Sequence, residues 1–395
     1  MRRDDLCHPV RQRLERLPAP FAAHYGVVPA APPEDAIPLG PYRANHERAI
    51  GALARVQVLA EQFDDPYIVS RLLTRREAVS SSSIEGTNST LDELLSLEEE
   101  ANDEQRDAAR QVQDYAMILD QRVVEARARG VELFTPDLIA DLHRDIMRSD
   151  KDYRDVPGRL RSRVVWIGGV RDIAYSTFNP APPARIEACL SETTAYMRCE
   201  GMQALTQSLI ARMAIAHAHF EAVHPYRDGN GRVGRLMLPL IMAAEKQVPL
   251  YLSPYIEVNR QAYYDALKGA QQQLDWAKMV GFMSDAITGT VEELMITRDA
   301  LLALASSWVE RRRFRGKSAA LRALDLVRNY PVITAKRLAQ RLDVSIPAAL
   351  TAIDQLIAAG ILQERTGYSR NRVFVATEVL AILNRPFGTE PILHG

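Results

Sequence analysis

Cysteine is scarce in this chain. Cys7, Cys189 and Cys199 are its 3 cysteines in 395 residues, too few for a disulfide framework, so a reducing compartment is the expectation. Net charge is also nearly absent, with 49 Lys and Arg against 50 Asp and Glu. Overall electrostatics therefore favour neither nucleic acid nor an anionic membrane as a partner. No apolar run is long enough to span a bilayer. Residues 1–20 open with Arg2-Arg3-Asp4-Asp5 and hold no apolar signal-like segment, so a cytoplasmic protein is expected. There is no internal repeat and no His-Glu-x-x-His pair for a metal. His217 and His219 are two apart on a helical run and do not share a face, which argues against a histidine metal site with His224. The length is enough for two or three domains with proper cores.

The densest chemistry lies in His224-Pro225-Tyr226-Arg227-Asp228-Gly229-Asn230-Gly231-Arg232-Val233-Gly234-Arg235. Apolar runs of helical spacing flank it, Leu209 to Val223 before and Val233 to Ala244 after, the second despite Pro239. The run is thus a loop between two helices, with Asp228 to Gly231 at the start of the second. The N–H groups at a helix start are unsatisfied and carry the positive end of the dipole. Gly229 and Gly231 allow close backbone approach, and the combination makes an anion nest suited to phosphates. Arg232 and Arg235 share a face and can fork onto phosphate oxygens. Asp228 is a hard oxygen ligand for Mg²⁺ shared with phosphates. His224 has an unperturbed pKa close to working pH and is the natural general base.

This run resembles the signature of the Fic/DOC family, His-Pro-Phe-x-Asp/Glu-Gly-Asn-Gly-Arg-x-x-Arg. Every polar position matches, and Tyr226 replaces the usual Phe. The resemblance implies transfer of AMP from ATP to a Tyr, Thr or Ser hydroxyl of a protein, possibly this protein itself. His224 would deprotonate the hydroxyl and Asp228 would hold Mg²⁺. Gly229, Asn230 and Gly231 would hold the α- and β-phosphates. Arg232 and Arg235, with Val233 and Gly234 between them, would hold the outer ones. Removal of AMP, transfer of another nucleotide, and a DNA-binding regulator with a vestigial core are the alternatives. Family members often form homodimers.

A second segment, Ser81-Ser82-Ser83-Ile84-Glu85-Gly86, follows a helical run from Ile68 to Ser80. Ser81 and Glu85 share a face, and Gly86 can end the helix as a C′ residue. A carboxylate in the last turn opposes the macrodipole, which suggests a partner elsewhere. The segment resembles the family's inhibitory motif, Ser/Thr-x-x-x-Glu-Gly/Asn. The resemblance implies that Glu85 pairs with Arg235 and occupies the space of the γ-phosphate.

Val164 to Gly169 and Ile173 to Phe178 read as the two strands of a β-hairpin. The resemblance makes Val165, Trp166, Ile167 and Gly168 a flap beside the nucleotide, docking the target segment by β-augmentation. Tyr263, with Tyr264 and Gln271 as lesser candidates, resembles the adenine-side wall. Residues 317–376 carry nine Lys and Arg against four Asp and Glu and resemble a winged-helix domain. The would-be recognition helix from Ile346 to Ala359 has no Lys or Arg, so DNA is possible but not favoured. Wing residues Arg365, Arg370 and Arg372 could still contact phosphates.

The expected fold is mainly α, a Fic-fold helical core with a β-hairpin flap, an N-terminal helical region and a small α+β winged-helix domain. The expected divisions are a Pro-rich extended arm at 1–40, a helical region carrying the inhibitory motif at 41–130, the catalytic core at 131–300, and a linker with the winged helix at 301–395.

Overall fold

The structure is a computed structural model that describes residues 1–62, 71–99, 107–169, 172–366 and 372–392. The arm is not simply extended. It forms α1 (His8–Gln12) and an antiparallel pair, β1 (Leu14–Arg16) with β2 (Tyr25–Val27), Glu15 opposite Gly26. Residues 17–24 and 28–39 have no regular structure, and the second stretch lies against the core, where Gln207 Nε2 donates to the Pro33 and Asp35 carbonyls at 2.7 Å each. The helical region follows as α2 (Arg43–Gln62), α3 (Arg71–Ile84), α4 (Leu91–Glu99) and α5 (Asp107–Arg129). The start of the helical run expected from Ile68, residues 68–70, lies outside the described residues.

The core comprises α6 (Pro136–Met147), α7 (Ile186–Met197), the short α8 (Gln203–Thr206), α9 (Leu209–Val223), α10 (Asn230–Ala244), α11 (Ser253–Val258), α12 (Arg260–Gln273) and α13 (Trp276–Arg311). Thr135 caps α6, its hydroxyl accepting the Leu138 N–H at 3.1 Å. Helices α9 and α10 are buried on nearly every side, in accord with their all-round apolar sequences. Around them α9 packs on α7, α12 and α13, and α10 packs on α5 and α6. Because α13 runs unbroken through residue 300, the C-terminal part begins only after Arg311.

That part holds α14 (Ala319–Asn329), β3 (Val332–Thr334), α15 (Ala335–Leu342), α16 (Ile346–Ala358), β4 (Gln363–Glu364), β5 (Val373–Val375) and α17 (Thr377–Asn384). The strand order β3-β5-β4 is antiparallel throughout, with Ile333 opposite Phe374 and Glu364 opposite Phe374 on the other side. Strands β4 and β5 form the short hairpin, and β3 adds an edge strand too short to show an alternating pattern. Of the arginines expected to meet phosphate, Arg365 and Arg372 are engaged within the chain. Arg365 is bidentate to Asp92 at 2.7 Å and bonds Ser96, both on α4, while Arg372 pairs with Glu364. Arg370 lies outside the described residues. The same face of α4 meets α15 through Glu99 and Arg341, whose guanidinium lies 3.5 Å from the Tyr330 ring centroid.

The expected hairpin at 164–178 is reduced to one antiparallel bridge, Ile167 with Phe178. Ile167 N–H donates to the Phe178 carbonyl at 2.8 Å, and Thr177 N–H returns to the Ile167 carbonyl at 2.8 Å. A 3-10 turn at Ile173–Tyr175, capped by Asp172, replaces the second strand. The β-branched run has the composition of a strand but no length of partner opposite it, and pairing rather than propensity decides. Residues 170 and 171 of the loop lie outside the described residues. The flap rests on the arm: Val27 N–H donates to the Asn179 carbonyl at 2.9 Å, and Trp166 meets Phe21 edge-on.

Candidate active site

The loop between α9 and α10 is shaped by its own residues. His224 takes left-handed backbone angles (φ 50°, ψ 63°) as the C-cap of α9, its N–H donating to the Phe220 carbonyl. Gly229 is left-handed too (φ 78°), and a Cβ there would lie 2.8 Å from Met147 Sδ. Asn230, expected at the phosphates, instead folds the loop. Its Oδ1 accepts the Tyr226 N–H and its Nδ2 donates to the Tyr226 carbonyl, both at 2.9 Å. That side chain is buried, with Oδ1 and one Nδ2 hydrogen engaged by the Tyr226 backbone. Tyr226 is fully buried and stacks on His143, with ring centroids 3.7 Å apart.

His143 is a residue the sequence reading passed over. Its Nδ1 accepts the Gly158 N–H at 2.8 Å, which leaves Nε2 to donate to the Asp228 carbonyl at 3.0 Å. Burial lowers its pKa to about 4, in keeping with this neutral tautomer. Arg161 was passed over as well. It is buried and donates to the carbonyls of His224, Arg163, Ala181 and Val223 at 2.6 to 3.3 Å, tying the loop to the base of the flap. The signal for His143 was a lone imidazole on the apolar face of α6. Nothing distinguishes Arg161 from its neighbours in sequence.

The functional groups converge around the start of α10. Burial first, and then the Arg161 guanidinium, lower the pKa of His224 to about 4, against the raising influence of Glu85, so its imidazole is neutral at neutral pH. Asp228 is exposed. One carboxylate oxygen accepts the Gly229 N–H at 2.6 Å, and the other makes no hydrogen bond among the described residues. Arg232 is buried beside Met147, with Asp150 at 3.8 Å. Arg235 is 1% exposed and donates to the Ser81 hydroxyl at 3.0 Å, the Ser81 carbonyl at 2.9 Å and Glu85 Oε1 at 2.7 Å. Burial alone would raise the Glu85 carboxyl, but the adjoining Arg235 holds it below the usual carboxylate range. Gly231 permits the approach, since a Cβ there would lie 2.1 Å from Glu85 Oε1. The carboxylate therefore caps the anion-attracting end of α10.

Helix α3 delivers Glu85 through its terminus. Gly86 is left-handed (φ 88°), its N–H donates to the Ser83 carbonyl and the Thr87 N–H to the Ser82 carbonyl, which makes a Schellman cap with Glu85 as the last helical-side residue. Tyr263 is 2% exposed and its hydroxyl donates to His217 Nε2 at 2.7 Å, while His217 Nδ1–H bonds the Gly234 carbonyl. Its ring is thus a floor beneath the site, and the neighbouring Tyr264 is the exposed one at 44%. Of the flap residues, Val165, Trp166 and Ile167 are half-buried and Gly168 exposed.

A central helix pair joined by this loop, with a terminal carboxylate from an earlier helix across it, defines a Fic-type protein. The chain matches the Fic/DOC family in two regions: the family's N-terminal model over residues 43–121 and its Fic model over residues 133–242. It is similar to a probable protein adenylyltransferase of Aquifex aeolicus, 27% identical over 249 residues, covering 60% of this chain and 67% of that one. A protein adenylyltransferase of Caenorhabditis elegans is 33% identical over 131 residues, and the chain spans only 23% of its length. A Fic family protein from Desulfovibrio desulfuricans shares the fold with a TM-score of 0.52 at 21% identity, covering 88% of this chain and 98% of that one.

Proposed function

We propose that this protein transfers AMP from ATP to a Tyr, Thr or Ser hydroxyl of a protein, and that Glu85 holds the activity low. The relatives named protein adenylyltransferases support the reaction class. The observation that carries the regulation is the 2.7 Å Glu85–Arg235 pair at the mouth of α10. A triphosphate and this carboxylate compete for the same guanidinium, and two anions side by side in a partly buried site repel.

The donor set suits Mg²⁺, because Asp228 is an exposed carboxylate with an oxygen to spare. When bound there, the ion would neutralise phosphate charge. The backbone N–H groups of Gly229 to Gly231, with Arg232 and then Arg235, orient the phosphates. Neutral His224 takes the proton of the target hydroxyl as that oxygen attacks the α-phosphorus, and the bond from the α-phosphorus to its bridging oxygen breaks to release pyrophosphate. The half-buried Val165 and Trp166 beside the Ile167 bridge would offer main-chain groups to a target strand.

Purified Glu85→Gly protein with α-labelled ATP, Mg²⁺ and a cell lysate tests the reading. Labelling of a lysate protein or of the enzyme itself should rise well above wild type. It should fall by about 10²–10⁴-fold when His224→Ala is added. Equal labelling by wild type and Glu85→Gly would overturn the inhibitory role of Glu85. Mass spectrometry of the labelled band identifies the transferred group and the acceptor residue.

A further inference from the structure

Helix α9 is apolar along its buried length except at His217, His219 and Glu221. His217 is bonded to Gly234 and Tyr263, and His219 to Thr193. Glu221 is different. It is 6% exposed, and its Oε1 is buried with no hydrogen-bond partner among the described residues. One turn later, the buried Nδ1 of His224 is likewise without a partner. The other oxygen of that carboxyl, Glu221 Oε2, lies 3.8 Å from His224 Nδ1. The Glu221 backbone carbonyl also faces the ring and raises the pKa of His224.

The space for this carboxyl is provided by the motif itself. A Cβ at Gly234 would stand 2.5 Å from Glu221 Oε1 and 3.1 Å from the His217 ring. Any other residue in place of Gly234 would displace the Glu221 carboxyl or the His217 ring. The left-handed backbone of His224 turns its ring back over the end of α9, which is what brings Nδ1 to a residue three positions earlier.

We propose that Glu221 is the positioning residue for His224, its carboxyl accepting the Nδ1–H and so leaving Nε2 as the bare nitrogen for the target hydroxyl. A neutral imidazole has one donor and one acceptor nitrogen, and the bond made by the first selects the second. Closing 3.8 Å to hydrogen-bond range needs about 1 Å of side-chain motion, and such bonds are often long before substrate binds. As Nε2 takes the hydroxyl proton, the ring becomes cationic and its Nδ1–H bond to Glu221 strengthens. The proton stays on His224 and no further transfer is required. Burial favours the protonated carboxyl, whose carbonyl oxygen still accepts. The charged and titratable groups facing Glu221 are Arg235 on α10, Glu85 after α3, Tyr263 and Tyr264 on α12, and His217 and His224.

The proposal rests on His224 as the base, so its test has one arm that needs no activity. Histidine-selective ¹⁵N-labelled full chain is titrated from pH 6 to 9 without nucleotide, with His224 assigned by loss of its signals in His224→Ala. Wild-type His224 should show the Nδ1–H tautomer and a shift of its ring nitrogens as Glu221 titrates. In Glu221→Gln the tautomer should persist and the shift vanish. In Glu221→Leu the tautomer preference should be lost. Identical ring shifts in wild type and Glu221→Gln throughout would overturn the proposal, and this comparison holds even if the Leu variant fails to fold. The second arm adds these substitutions to Glu85→Gly. Glu221→Leu should lower kcat by ten- to a hundred-fold with KM for ATP unchanged, and Glu221→Gln should restore most of it. A rise in KM with kcat preserved would count against the role. If Glu85→Gly transfers nothing at all, the proposed function fails while the titration still decides the Glu221–His224 coupling.

Discussion

Burial pushes the pKa of Glu221 up to about 8, against the lowering influence of Arg235. The carboxyl therefore binds its proton more tightly in the folded chain than in the unfolded one. Its contribution to stability is full below the ordinary value of 4.5 and is lost as pH rises through about 8. Wild type should lose stability relative to Glu221→Gln across that window, with a limiting slope of about 1.4 kcal/mol per pH unit. Thermal melts of both proteins at pH 5.5 and 8.0 check this, and a constant difference in Tm would contradict it. Single residues also show where reading from sequence stops. Arg235 and Glu85 were paired by resemblance and do meet at 2.7 Å. Asn230 sits in the same motif, yet its amide is spent on the Tyr226 backbone, because a buried amide takes the nearest complementary groups. Glu221 was visible as the one acidic residue in an apolar helix. Its partner depended on His224 adopting left-handed angles, which no residue type announces.

Helix ends decide how firmly the Glu85 carboxylate is held. The Schellman cap at Gly86 requires positive φ, so Gly86→Ala should strain the terminus by about 1 kcal/mol or more. That loosening acts on the segment carrying Glu85, and labelled-AMP transfer should rise toward the Glu85→Gly level. Thr135→Ala removes the N-cap of α6 at a similar cost of about 1 kcal/mol and should leave transfer unchanged. Melting temperature and labelling measured on both variants separate a regulatory end from a structural one. A parallel response of the two would refute the distinction. At this scale the helices were legible because their apolar spacing is strong, and the caps because Thr, Ser and Gly carry specific chemistry. The flap was less legible. Its β-branched residues describe a surface that could pair, and the partner strand at 173–175 became a 3-10 turn around the Asp172 cap.

Across the whole molecule, the C-terminal part is fastened to the core by pairs of unequal value. Glu293 on α13 is 6% exposed and receives Arg385 at 2.8 Å and the Gly388 N–H at 3.1 Å. Glu293→Ala should cost about 3–5 kcal/mol, because it leaves a buried guanidinium without its carboxylate. The Arg365–Asp92 pair has side chains 36% and 33% exposed, and Arg365→Ala should cost about 1 kcal/mol or less. Chemical denaturation of the two variants checks the ranking, and a larger loss for Arg365→Ala would reverse it. The sequence alone determined the helical class, the loop between α9 and α10, and the set of base, carboxylate and guanidiniums, because these depend on short-range spacing and intrinsic chemistry. Only the tertiary structure decided which groups are spent internally. Arg365 went to α4, Asn230 to its own loop and Arg235 to Glu85, 150 residues earlier in the chain. Those choices follow from burial, which obliges each polar group to find a partner that only the packed chain brings within reach.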